Sequence, residues 1–304
     1  MIEVPTSTFP TWQKVESFAS TPLKSPFSKE PQFSAEAQPQ SLSLLPPALF
    51  TKILASPHEI DWASSEFDKA SLVAIRDSWN RSIFLAAIEE GRREAIETLL
   101  AQNIAVHTVD FHGNNGLALA ALNGYSDLVP LLSNHFPING YNAHKMTPIH
   151  QAIKQGHSQV VQALVRNGAS LTIGWKSPEG VLFSPAALAV QSGDIPTLEV
   201  LIQEDYQKDI DLTQSIAGIG TLVHLAIHTD QTLMLQYLLE TQHAFTQRLL
   251  EHEDFLGRAP LHLASYIGNL PAIRFLIRQG ADIEKPDKEN ERRPIHFAAL
   301  GKQP

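Results

Sequence analysis

Histidine is the residue type in this sequence best suited to chemistry, with 13 copies in 304 residues. An imidazole can ligate a metal or move a proton near neutral pH, but either task needs partners at fixed offsets. Those offsets are missing. The chain contains no H-E-x-x-H pair, no G-x-S-x-G elbow and no G-x-x-x-x-G-K-[ST] phosphate loop. Gly218-Ile219-Gly220 stands in a stretch without the strand and helix that a phosphate cradle requires. Asp205, Asp209 and Asp211 lack the fixed glycine and closing glutamate of a calcium loop. The reading is therefore of a non-enzymatic chain with no cofactor and no metal. What His150, His224, His262 and His296 share is a context: each is the fourth residue of a short motif. The four motifs are Thr147-Pro148-Ile149-His150, Thr221-Leu222-Val223-His224, Ala259-Pro260-Leu261-His262 and Arg293-Pro294-Ile295-His296.

The elements that position these histidines repeat. Two residues after His150 comes Ala152, and equivalent alanines stand at Ala87, Ala120, Ala189, Ala226, Ala264 and Ala298, at spacings of 33, 32, 37, 37, 38 and 34 residues. Four residues beyond the alanine a glycine stops the helix at Gly91, Gly124, Gly156, Gly193 and Gly268, with Asp230 taking that place in the fifth unit. In the third unit, Val160, Val161, Leu164 and Val165 form the apolar stripe of a second helix, closed by Asn167-Gly168-Ala169. One such helix pair cannot bury its own apolar face, so the pairs must stack.

The motif and its period resemble the ankyrin-repeat family from about residue 77 to the end. That resemblance implies an all-α solenoid of six repeats and a terminal half-repeat. It also implies that histidine at the fourth position hydrogen-bonds between neighbouring turns. Leu99, Leu100, Leu131, Leu132, Leu164, Leu201, Leu238, Leu239 and Leu276 are expected to fill the layer between helices. Insertions before Ser184, around Trp175, and over Gln203 to Gly220 and Thr241 to Glu253 are expected as loops on one edge.

The expected domains are a leader over 1–40, a helical segment over 41–80 and repeats over 81–304. The leader holds six prolines among many Ser, Thr and Gln, with too little apolar periodicity to offset the cost of ordering it. It reads as disordered, either an ordinary tail or an export signal of a secreted bacterial effector. Within 41–80, Leu45, Leu49 and Ile53 share one helix face with Leu54 beside them, after Pro46 in the first turn. With Ile75 and Trp79 this set resembles the F-box, a helical module that docks on the Skp-type linker of cullin ubiquitin ligases. Ala48 and Asp77 depart from its usual acidic and basic positions. The alternative is a helical cap over the first repeat.

A net charge of −9 gives no basic footprint for nucleic acid. The absence of cysteine suits a reducing cytoplasmic compartment, and no apolar run suits a membrane span. Function then falls to the surface of a monomer that binds a protein target. By resemblance to the family, partners are gripped on the concave side by finger tips and by the ends of the first helices. Projected onto this sequence, those positions include Trp79, Glu89, Glu90, Phe111, His112, His144, Met146, Lys154, Phe255, Leu256 and Tyr266, with Trp175 added by the inserted loop. Aromatic anchors within a polar rim are the anatomy of a protein-binding site. Three uses remain open: a binding scaffold or adaptor, an F-box-type substrate receptor for a ubiquitin ligase, and a structural or inhibitory module of a larger enzyme.

Overall fold

The computed structural model describes residues 47–60, 62, 72, 76, 81–104, 106–205, 210–240 and 246–301, with side chains from residue 51 onward. The leader, and Leu45, Pro46, Ile75 and Trp79 with the side chain of Leu49, lie outside the described residues. Helices dominate, and they come in pairs of 4–9 residues. The pairs are α2 (Ile83–Glu89) with α3 (Arg93–Ala101), α4 (Gly116–Asn123) with α5 (Val129–Leu132), and α6 (Pro148–Lys154) with α7 (Ser158–Arg166). They continue as α8 (Pro185–Ser192) with α9 (Ile195–Gln203), α10 (Leu222–His228) with α11 (Thr232–Glu240), and α13 (Pro260–Ile267) with α14 (Leu270–Arg278). A preceding helix α1 spans Pro47–Ala55, α12 spans Thr246–Glu251, and α15 spans Pro294–Leu300.

The sequence explains where the helices start and stop. The N-terminal backbone donors of α2 and α4 are capped by side chains: Ser82 accepts from the Leu85 N–H and Asn115 from the Ala118 N–H. Proline at the first turn of α6, α13 and α15 costs nothing there, because that N–H has no intrahelical partner. Gly124 and Gly268 end α4 and α13 in the left-handed region, at φ of 86° and 78°, where a Cβ would be strained.

The chain divides into two compact units, one of residues 37–190 and 194–211, the other containing 191–193 and 212–304. In the first unit the alanine-rich helices pack in order, α2 on α4 and α4 on α6, while α5, α7 and α9 pack behind them. Short side chains at Ala87, Ala120 and Ala152 are fully buried and permit this approach. α1 packs on α2 and α3, with Ile53 and Leu54 buried. In the second unit α10 packs on α13 and α13 on α15, with α11 against α14. Leu99, Leu132, Leu164, Leu201, Leu238, Leu239 and Leu276 are buried as the repeat pattern requires, whereas Leu100 and Leu131 are only half-buried at the edge of their helices.

Two local features differ from the sequence expectation. The insertion around Trp175 is a two-stranded antiparallel hairpin, β1 (Trp175–Lys176) with β2 (Leu182–Phe183), so the fold is all-α apart from this pair. The stretch before Glu253 contains α12, which buries Leu249 and Leu250; it adds core instead of a bare loop. In α15, Phe297 is buried edge-on against His262 at 5.2 Å, while Ile295 is exposed.

Leu164 lies at the centre of the stripe of α7 and has no exposed surface. Leu164→Ala should destabilise the protein by about 2–5 kcal/mol, the transfer and cavity cost of a buried leucine. A chemical denaturation midpoint equal to that of the wild type would contradict its placement.

Candidate protein-binding surface

Between helix pairs the chain projects in tight fingers, and an Asp or Asn side chain builds four of them. Asp110 Oδ1 accepts the N–H groups of His112 and Asn114, both at 2.8 Å, and Gly113 takes φ of 71°. In the next finger Asn142 Oδ1 accepts from the N–H groups of His144 and Met146, at 3.0 and 2.9 Å. In the second unit Asp254 Oδ1 accepts from Leu256 and Arg258, and Asp287 Oδ1 from Asn290 and Arg292. These turn-forming side chains do locally what a backbone turn would do.

Neighbouring fingers are tied to one another and to the helices. The Ala143 N–H donates to the His112 carbonyl at 2.8 Å. Beneath the tips, buried Asn114 Oδ1 accepts from Asn142 Nδ2 at 2.9 Å and from Gln151 Nε2 at 2.6 Å. The histidine of the recurring motif completes the tie. His150 Nδ1 accepts the Thr147 N–H at 3.2 Å while Nε2 donates to the Ile173 carbonyl at 3.0 Å. His224 joins Thr221 to the Arg258 carbonyl, and His262 joins Ala259 to the Lys285 carbonyl, in the same way. His296 accepts the Arg293 N–H but its ring is exposed.

The first three rings must be neutral to serve as both acceptor and donor, and burial enforces it. Desolvation is the leading cause that lowers the pKa of His150 and of His224 to about 4, and it also lowers that of His262. These are structural histidines. Among the described residues, no group of three or more His, Asp or Glu side chains is placed to hold a metal ion.

On this frame, Phe111 is 58% exposed, and His112 and His144 stand in solvent beside each other, ring centroids 5.6 Å apart. Glu89 and Glu90 are exposed at the end of α2, ion-paired with Arg81 and Arg92 respectively. In the second unit Phe255 is exposed at its finger tip, while Leu256 and Tyr266 are half-buried. Two expected anchors are corrected. Met146 is 8% exposed, because its place just before α6 turns it into the core. Trp175 is also 8% exposed: the hairpin folds its ring onto Phe183, its indole N–H donates to the His144 carbonyl at 3.2 Å, and the ammonium of Lys154 lies 4.2 Å from its ring centre. Burial lowers the Lys154 pKa, with nearby Glu179 opposing. Trp175 and Lys154 thus brace the finger instead of presenting themselves to a ligand. Tyr141 and Val109, exposed on the same fingers, escaped the sequence reading because neither falls at a motif position; their apolar character next to a turn signal was the available clue.

The sequence model of the family described as ankyrin repeats, in three copies, matches residues 73–174 and again 186–287. This chain belongs to the ankyrin-repeat family. It is similar to NF-kappa-B inhibitor zeta of Mus musculus, 26% identical over 76% of this chain and 31% of that protein. It is also similar to the transient receptor potential cation channel subfamily A member 1 of Drosophila melanogaster, 27% identical over 71% of this chain and 18% of that protein. The chain therefore spans less than a third of either relative. Among solved structures, the ankyrin repeat domain of human ASB11 superposes with a TM-score of 0.56 at 24% identity, covering 74% of this chain and 99% of that one, a likeness of fold. No helix among the described residues is long and apolar enough to cross a membrane.

Proposed function

We infer that this chain is a non-catalytic binding scaffold that holds a protein target on its finger tips and first-helix ends. The observation that carries the reading is the exposed set Phe111, His112 and His144 on two fingers pinned by the Ala143 and Asn114 hydrogen bonds. A phenylalanine in solvent on a pre-organised turn serves no folding purpose, and rigidity lowers the entropic cost of binding. Glu89 and Glu90 supply a polar rim. That the repeats are similar both to a protein named as a cation channel and to one named as an NF-kappa-B inhibitor supports a module defined by binding, with the partner set by surface residues.

The test is affinity capture from lysate with the wild type and with a Phe111→Ala, His144→Ala double variant. Both side chains are exposed, so thermal stability should stay within a degree or two, the ordinary range for surface changes. Recovered partners should bind the variant at least about 30-fold more weakly, as expected when a central anchor is removed. Equal binding of every recovered partner by both forms would place the site elsewhere.

A finer proposal concerns 44–80. The burial of Ile53 and Leu54 against α2 and α3 supports a cap over the first repeat, the device that a solenoid end needs. The F-box reading, with recruitment of a ubiquitin ligase, rests on the order Leu45, Pro46, Leu49, Ile53, Leu54, Ile75, Trp79, and use as a secreted effector rests on that pairing together with the composition of the leader. Coelution with a Skp-type linker, abolished by Pro46→Ala with Leu49→Ala at unchanged melting temperature, is the result that would establish it.

A further inference from the structure

A second surface in the unit of residues 212–304 has the marks of a docking site unrelated to the fingers. It lies on the second helices of two repeats, α11 and α14. Between Thr232 and Gln236 on one side and Leu270, Arg274 and Arg278 on the other runs a groove of about 430 Å³, with Phe275 at its base. The buried stripe of α14 consists of Ala272, Phe275 and Leu276, which leaves Leu270, Arg274 and Arg278 as a ridge at four-residue steps facing outward. Leu270 is 61% exposed, and Leu233, next in sequence to Thr232, is 70% exposed. Neither leucine, in solvent, is needed to fold its own helix.

The charges give the groove a direction. The protein carries 32 acidic against 23 basic residues, and several of its exposed cations pair with carboxylates. Arg166 on α7 pairs with Glu204 at 2.7 Å, Lys288 with Glu253 at 2.5 Å, and Arg93 with Glu97 at 2.8 Å. Among the described residues, neither Arg274 nor Arg278 has an ion-pair partner, although both are exposed. Two guanidiniums one turn apart repel each other, and only Arg278, in the last turn, gains from the helix dipole. The pair is therefore a local cation in an acidic molecule, set beside an apolar trough.

We propose that this groove binds an acidic amphipathic helix of a partner protein. Its apolar ridge would lie against Leu270 and Pro271, and two carboxylates at i and i+4 would meet Arg274 and Arg278. Four residues of helix advance about 6 Å, so carboxylates at that spacing match guanidiniums at the same spacing on α14. Arginine is suited to the task, since its fork pairs with a carboxylate through two hydrogen bonds. A nucleic acid would meet a molecule of net charge −9, and a second copy of this chain would need a self-complementary patch.

The probe is a pooled library of labelled peptides of about 16 residues, four to five helical turns, with Glu at i and i+4 and varied apolar residues on the adjoining ridge. A matched library carries Lys in place of Glu, and a 20-nucleotide RNA serves as a polyanion control. With the full chain, members of the Glu library should bind, and should lose about ten-fold or more in affinity in Arg274→Glu, Arg278→Glu and again at high salt. The charge-reversed variant should instead bind members of the Lys library, a gain that a merely structural role for the arginines would not produce. Leu270→Asp should weaken the Glu peptides without restoring any to the Lys set. Failure of every Glu peptide, equal binding of both libraries, preferential RNA binding, or self-association abolished by the double reversal would each overturn the proposal.

Discussion

Acidification from pH 7 to pH 4 should cost this protein several kcal/mol of stability, with the decline beginning near pH 6.5. His150 and His224 have pKa values lowered to about 4 in the folded chain, chiefly by burial, against 6.5 for the free side chain. At His150 the Ile173 carbonyl opposes the shift and Lys154 reinforces it; at His224 Asp254 and the Arg258 carbonyl oppose it, and the Arg258 and His252 charges reinforce it. Between pH 6.5 and 4 the unfolded chain binds protons that the folded chain refuses, so stability rises with pH in that window and is lost as pH falls through it. Above pH 6.5 these rings contribute no slope. Each ring is worth up to about 3 kcal/mol across the window, a large share of the roughly 5–15 kcal/mol that holds an ordinary domain together. Urea midpoints at half-unit steps from pH 7.5 to 5 isolate the effect from ordinary carboxylates, which titrate lower. A midpoint that stays level from pH 6.5 to 5 would mean that the rings are not held neutral. His224→Gln should lower the midpoint at pH 7 and flatten its dependence on pH.

Arg258→Ala should be among the most damaging single changes outside the leucine layer, at about 3–5 kcal/mol. Arg258 and Asp254 form an ion pair whose side chains are 5% and 0% exposed, with Nη2 and Nε at 2.6 and 2.8 Å from Oδ2. Removing the guanidinium strands a buried carboxylate; the pair itself need not be strongly stabilising, since both charges lost their hydration to form it. The same carboxylate builds the finger through Oδ1, and the Arg258 carbonyl receives the His224 N–H. A double change, Arg258→Met with Asp254→Asn, keeps an acceptor for the turn and removes both charges, so it should recover much of the loss. Calorimetry of the three forms checks this: a double variant as unstable as the single would assign the cost to the turn and not to the stranded charge.

How much of this was legible beforehand depends on whether a residue's role is set by its neighbours in sequence or in space. The role of His150 was readable from the resemblance to ankyrin repeats, because the motif recurs at His224, His262 and His296, and its donor partner, Thr147, is only three residues away. The glycine stops at Gly124 and Gly268 were readable because the left-handed region admits few other residues. The finger aspartates were overlooked, although Asp110 and Asp254 each stand three residues before a glycine, because the local turn they make resembles any polar loop in composition. Trp175 shows the opposite limit. An aromatic residue in an insertion has the appearance of an exposed anchor, and only the pairing of β1 with β2 and the carbonyl of His144, 31 residues earlier, put it under cover.

The sequence by itself determined the repeat period, the all-α class, the capped ends of the helices and the structural duty of the motif histidines. The period and the helix ends are written in local residues, whereas the all-α class and the histidines' duty came through the resemblance to ankyrin repeats, since the carbonyls that the histidines reach lie 23–34 residues away. The tertiary structure alone decided which apolar side chains remain in solvent. Phe111 and Trp175 are alike in type and both lie near fingers, yet one is 58% and the other 8% exposed. The unpaired arginines of α14 are the same case in charge: whether a cation meets a carboxylate depends on what the next repeat brings beside it, a distance in space that local sequence does not encode.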